Sequence, residues 1–326
     1  MRSTWAILAA AVAIYASVAL GEVRYTVTGL GQGYAWDINN SGQVVGYSIT
    51  PDHWGQAFLY TSGTMTYLSS DSRAWGINDL GQVVGESGGH PFLYSNGIMM
   101  STLSGGSLGC AYSINNAGSI VGTAVVDGSL YACLYSDGQA DCLWPSVNTV
   151  NAVSINNSGQ VVGSSVTPTR AMFRENGATT DLGSLFDGAW SYAWGINDAG
   201  QIVGTMEPSI AFLCSNGTVT GLGTLGGTYS EAYCINNEGQ VVGDSDTVPG
   251  VNSTRAFIYG DGKMTDLNSL IDPASGWTLV QATAINDSGQ IVGYGSMGAF
   301  LLTPVPEPAT LSLLALAGMA MVRRRK

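Results

Sequence analysis

Catalysis needs nucleophiles, acids, bases or metal ligands at set spacings, and this sequence holds few of them. Its two histidines, His53 and His90, lie about one repeat apart. They are too few for a histidine-based triad or a multi-histidine zinc site. No GxGxxG, P-loop, HExxH or CxxC spacing occurs. The acids are more numerous. Glu86, Asp127, Asp187, Glu207, Asp244 and Asp246 follow β-branched segments or stand in long connections, and two carboxylates at a set separation suffice for glycoside hydrolysis. Asp244 and Asp246 are the best calcium candidates, because calcium usually takes roughly six to eight oxygens. A recurrent Asn-Asx-x-Gly with at most one acid reads instead as a turn. Neither a metal nor a cofactor is expected.

Aromatic rings offer a second chemistry, stacking on the apolar C–H faces of sugars. Trp54, Trp190, Tyr229 and Trp277 fall in or beside long connections and are the candidate ligand platforms. Trp36, Trp75 and Trp194 recur at one position beside an isoleucine, and Phe58, Phe212 and Phe257 at another. Such recurrence predicts packing between repeats. Five cysteines are an odd number for an oxidising compartment. Cys133 and Cys142 flank Ser136-Asp137-Gly138-Gln139. If Asp137-Gly138 is a type I′ turn, they meet at a non-hydrogen-bonded pair about 4.5 Å apart, a candidate disulfide. Cys110, Cys214 and Cys234 read as small core residues.

The elements that must hold these groups are legible from a repeat. Seven segments align, beginning with Ala35-Trp-Asp-Ile-Asn-Asn-Ser-Gly-Gln-Val-Val-Gly46, with isoleucines at 38, 77, 114, 155, 196, 235 and 285. A second strand pair follows in each, such as Ala57-Phe-Leu-Tyr60, a Ser62-Gly63 turn and Thr64-Met-Thr-Tyr-Leu68. Four strands in about 40 residues make one propeller blade. From isoleucine to the last glycine is eight positions in every copy, whereas Gly46 to Ala57 spans 11 and Gly243 to Ala256 spans 13. All length variation therefore falls on one face of a disc, where binding residues concentrate. The last copy stops one strand short at Ala299-Phe-Leu-Leu302, and Tyr25-Thr-Val-Thr-Gly-Leu-Gly31 copies the strand Gly217-Thr-Val-Thr-Gly-Leu-Gly223. The expected fold is an all-β, seven-bladed β-propeller with four-stranded blades, closed by its N-terminal strand. An open β-repeat array is the alternative.

The repeat Ile-Asn-x-x-Gly-Gln-Val-Val-Gly followed by Ala-Phe-Leu-Tyr resembles the HAF-repeat family of bacterial extracellular proteins, which implies export and a surface location. At the C-terminus, Pro306-Glu307-Pro308 precedes an apolar run, Ala309 to Val322, closed by Arg323-Arg324-Arg325-Lys326. That order resembles the PEP-CTERM sorting signal. The resemblance implies processing by an exosortase, with only transient anchoring in the inner membrane of a Gram-negative producer of exopolysaccharide. Three regions follow: a signal peptide over 1–21, the repeat domain over 22–303 and the sorting tail over 304–326. The 22–303 region carries six basic against 22 acidic residues, a net charge of −16. Such a surface repels phosphate backbones, so nucleic acid is not an expected partner. The expected function is a non-enzymatic surface or matrix module that binds exopolysaccharide or a partner protein. The alternatives are a carbohydrate-active enzyme using loop carboxylates and a purely structural acidic disc.

Overall fold

Each repeat alternates β-branched stretches with Asn-Gly-type turns, and each becomes a four-stranded antiparallel meander. The structure is a computed structural model that describes residues 24–306, apart from 51–52, 101–108, 127, 137–138, 145–148, 186–189 and 251–252. The expected signal peptide, Glu307, Pro308 and the apolar tail lie outside the described residues. No helix among the described residues is long and apolar enough to cross a membrane. Blades one to six occupy 33–70, 72–100, 109–142, 149–181, 191–223 and 230–266, and blade seven occupies 279–305 together with 24–31. Each innermost strand packs against that of the next blade, and that of blade seven against that of blade one. The chain is a seven-bladed β-propeller.

The ring closes as the split repeat predicts. The strand Arg24–Gly31 pairs antiparallel with Gly298–Val305, placing Tyr25 opposite Pro304 and Thr28 opposite Leu301. Tyr25 and Leu30 are buried there. Between blades lie layers of small and large apolar side chains; Val45, Ala57, Ala74, Ile77, Val83 and Phe92, for instance, join blades one and two. Phe58, Phe212 and Phe257 are fully buried, in keeping with packing between blades. The outer hairpins turn through Ser62-Gly63, Asn96-Gly97, Asn176-Gly177, Asn216-Gly217 and Asp261-Gly262. Both residues of each pair have positive φ, which is the type I′ geometry that matches strand twist.

The inner turns carry the seam of the disc. Asn39 Oδ1 accepts from the backbone N–H of Ser41 and Gln43, at 3.1 and 2.9 Å. Its Nδ2 donates at 3.0 Å to the carbonyl of Asn78 in the next blade. Asn78, Asn115, Asn156, Asn197, Asn236 and Asn286 each donate to the next blade in the same way, the last returning to Asn39. All seven are buried. The turn motif is therefore turn chemistry, and in addition it forms a closed hydrogen-bonded belt around one end of the axis.

Cys133 stands opposite Cys142 in the register of blade three. The next backbone bond, Leu143 N–H to Ala132 O at 2.9 Å, makes theirs a non-hydrogen-bonded pair. Both are free thiols in this structure. Burial, then Cys142 itself, pushes the Cys133 thiol up to about 12. Cys214 is buried, but Cys110 departs from the core reading. It is half-buried and donates its thiol to Glu86 Oε2 at 3.0 Å.

Candidate functional site: an aromatic pocket on the axis

The innermost strand of every blade contains one residue too many for its partner. Ala35 pairs with Gly46 and Asp37 with Val45, leaving Trp36 unpaired. The same register shift isolates Trp75, Tyr112, Val153, Trp194, Tyr233 and Thr283. A β-bulge of this kind re-aims the extra side chain. Its cause is local: Ala35 and Ile38 are both buried although three positions apart, which a strand of period two allows only with an inserted residue. The bulge also brings two backbones together. A Cβ on Gly46 would lie 2.0 Å from the carbonyl oxygen of Tyr34, so only glycine fits.

The re-aimed residues line an axial cavity of about 470 Å³, with Trp36, Trp75, Tyr112, Trp194 and Tyr233 on its wall. Trp36, Trp75 and Trp194 do meet rings of the neighbouring blades, as their recurrence predicts, and in addition they face the axis. The rings form two arcs. Tyr34 and Trp36 stack at 6.0 Å, Trp36 and Trp75 are 5.0 Å apart, and Trp75 and Tyr112 are 6.3 Å apart. Across the axis, Tyr192 and Trp194 stack at 5.6 Å, and Trp194 lies 6.3 Å from Tyr233. The indole N–H groups of Trp36 and Trp75 are buried and find no acceptor among the described residues.

Toward the variable loops, a collar of cross-strand pairs surrounds the pocket. They are Tyr34–Tyr47, Arg73–Glu86, Cys110–Thr123, Asn151–Ser164, Tyr192–Thr205, Glu231–Asp244 and Gln281–Tyr294. Arg73 is neutralised by Glu86 at 2.9 Å and lies 5.3 Å from the Tyr47 ring centre. Glu231 accepts from Trp194 Nε1 at 2.7 Å, Tyr229 Oη at 2.5 Å and Tyr233 Oη at 2.8 Å. Asp244 is only 3% exposed and accepts from Gln281 Nε2 at 2.9 Å. Burial pushes its carboxyl up to about 6, against the opposing pull of Gln281 and Tyr233. Burial also raises the Tyr229 and Tyr233 phenols.

One acid stands on the pocket floor. Asp37 accepts the backbone N–H of Ile38 at 2.8 Å and of Ile77, across the blade boundary, at 2.9 Å. Burial outweighs those two bonds and pushes its carboxyl up to about 7. The equivalent residues elsewhere are Gly76, Ser113, Ser154, Gly195, Cys234 and Ala284, so this acid is particular to blade one.

The four candidate platforms separate. Trp190 is half-buried with its ring 5.9 Å from Tyr192, extending one arc. Tyr229 joins the collar through Glu231. Trp277 folds back on blade seven, its ring 6.2 Å from Phe300 at 80°. The side chain of Trp54 lies outside what is described, as do Asp127 and Asp187. Among the described residues no group of His, Cys, Asp or Glu could hold a metal ion. The pocket residues that sequence reasoning missed carry a readable signal. Between copies, Ala, Ile, Asn and Gly hold their places, while the positions two and four before the isoleucine and one after the glycine vary. A constant frame with variable inserts marks the site.

Comparison with known proteins agrees with the architecture. Three solved structures share the fold. An extracellular domain of B. thetaiotaomicron, described as part of a one-component system, is 9% identical, with TM-score 0.55 over 85% of this chain and 39% of that one. A puromycin-hydrolyzing peptidase of Mycobacterium tuberculosis is 13% identical, with TM-score 0.51 over 88% and 52%. An acylaminoacyl peptidase of Pyrococcus horikoshii is 9% identical, with TM-score 0.52 over 88% and 54%. The chain thus spans 39% to 54% of their lengths, and the likeness is one of fold alone. A search of curated proteins finds no match. Residues 304–326 match the PEP-CTERM protein-sorting motif, which targets a protein to exosortase and the cell surface.

Proposed function

We propose that this exported protein is a non-enzymatic module whose axial pocket binds a carbohydrate chain, with the producer's own exopolysaccharide as the first candidate ligand. One observation carries the reading. Seven bulges on a rigid ring turn five aromatic side chains toward the axis. A sugar complements that wall, since its apolar C–H faces stack on rings. A pocket built into the scaffold lowers the ordering cost of binding. The repeat's resemblance to HAF-repeat extracellular proteins and the sorting motif support a ligand met outside the cell.

The test replaces Trp36, Trp75 and Trp194 by Ala, singly and together, and follows retention on the exopolysaccharide beside melting temperature. Each single change is expected to weaken retention roughly tenfold or more, as for buried aromatic anchors, with the fold kept. Unchanged retention in the triple variant would overturn the site. The Glu231–Asp244 cross-strand pair favours a second reading, hydrolysis by two carboxylates, with the buried Asp244 carboxyl raised. Release of reducing ends in the same assay would establish it and displace the non-enzymatic one.

A further inference from the structure

We infer that the axial pocket selects a sugar unit bearing a protonated amine, held by the Asp37 carboxylate beneath the ring of aromatic side chains. The inference rests on the carbohydrate reading and names the class of sugar.

The cavity is walled by Trp36, Trp75, Tyr112, Trp194 and Tyr233, with Asp37 among its lining residues. Aromatic faces are negative, and a cation near one is attracted most strongly where water is scarce. Among the described residues neither Lys nor Arg lines this cavity, and Arg73 in the collar is already paired with Glu86. Asp37 is half-buried, and a carboxylate drawn out of bulk water without a counter-ion is costly. The two backbone N–H groups that hold Asp37 offset part of this cost but supply no full charge. An ammonium group supplies it. The rings of the wall then stack on the C–H faces of the same sugar unit, so one ligand answers both the acid and the apolar wall. A volume of about 470 Å³ lies within the usual range for small-ligand sites. A neutral sugar would leave the acid uncompensated. A uronate would add a negative charge to a region net-charged −16.

Protons compete for the same carboxyl. Asp37, pushed up to about 7 by burial, faces Asp79 from blade two and Cys234 from blade six. Tyr112 and Tyr233 are the other titratable residues along the wall. Binding of a cation favours the ionised acid and releases a proton where the empty pocket held one.

The experiment is calorimetry on the exported chain with oligomers of glucosamine, N-acetylglucosamine, glucose and glucuronate, and with tetramethylammonium as a permanent cation. Glucosamine oligomers are expected to bind at least tenfold more tightly than glucose or N-acetylglucosamine oligomers, and glucuronate not at all. Asp37→Asn should abolish the preference for the amine, bringing glucosamine and glucose oligomers to one affinity; Asp79→Asn, outside the cavity lining, should keep the preference. Should Asp37→Asn fail to fold, the intact chain still gives the answer. Its affinity for tetramethylammonium is expected to fall at least tenfold from about pH 8 to about pH 5, as the acid is neutralised. Equal affinity for glucose and glucosamine oligomers, both sensitive to Trp75→Ala, would overturn the amine inference and keep the carbohydrate site. Asp37-dependent binding of tetramethylammonium with no oligosaccharide bound would overturn the carbohydrate reading and keep the ammonium site.

Discussion

Asparagine at the head of each inner turn combines two roles that an acid cannot. Its oxygen closes the turn, and its amide nitrogen donates to the next blade. Asn197→Asp keeps the first role and sets a carboxylate against the carbonyl of Asn236, now 3.0 Å from the amide. The expected loss is about 1–3 kcal/mol, the cost of one buried unsatisfied group, measured by denaturant unfolding. The turn was legible in the sequence, because Asn-Asx-x-Gly is local chemistry. The belt was not, because each acceptor lies about one repeat away and only closure of the ring brings it within reach. Asp37 gives a prediction of opposite character. An acid with a raised folded pKa keeps a proton in the fold that the unfolded chain releases, so stability falls as pH rises from 3.8 through about 7. Asp244, at about 6, adds the same sign. Asp37→Asn should flatten the decline, melting a few degrees above the parent at about pH 8 and nearer to it at about pH 4. A variant whose melting curve tracks the parent at every pH would contradict the assignment.

At the scale of the strand, the bulge decides whether an aromatic residue packs or binds. Recurrence of Trp36, Trp75 and Trp194 at one repeat position fits a packing layer and a pocket wall equally well. Only the extra residue between Ala and Ile separates the two, and simple alternation along the strand conceals it. The glycine opposite is the checkpoint. A Cβ on Gly204 would stand 1.9 Å from the Tyr192 carbonyl oxygen and 2.9 Å from the Phe212 ring. Gly204→Ala must therefore move the bulge or the ring. It is expected to cost a few kcal/mol, in the range of overpacked cores, and to shift the near-ultraviolet circular dichroism as Trp194 leaves its stack with Tyr192. An unchanged spectrum would mean that the bulge tolerates the methyl group and does not aim the ring.

For the whole molecule, closure depends on a strand that is last to find its partner. The split repeat made this visible: the missing strand of blade seven and its surplus copy at the N-terminus could be matched by sequence. The pocket was not visible at this scale, because seven inner strands meet at the axis only after the ring is complete. Removing 24–31 takes away Tyr25, Leu30 and a full ladder against Gly298–Val305. Each lost cross-strand pair is worth roughly 0.2–1 kcal/mol, and the edge of Gly298–Val305 becomes open to pairing with other chains. A lower melting temperature and concentration-dependent aggregation are expected by scanning calorimetry and light scattering. A truncated chain that melts like the intact one would show that closure contributes nothing.

The register of that closing pair also sets how the disc is moored. Val305 lies opposite Arg24 at the end of a strand running toward the asparagine belt. Pro304 sits beside Gly289 in the belt-side turn of blade seven. The described chain therefore enters and leaves at one point on the rim, at the belt end. A tail that continues from residue 306 thus leaves the disc at its belt end, opposite the variable loops. On the carbohydrate reading proposed above, cutting the tail therefore acts at one end of the disc and leaves the residues of the axial pocket as they are.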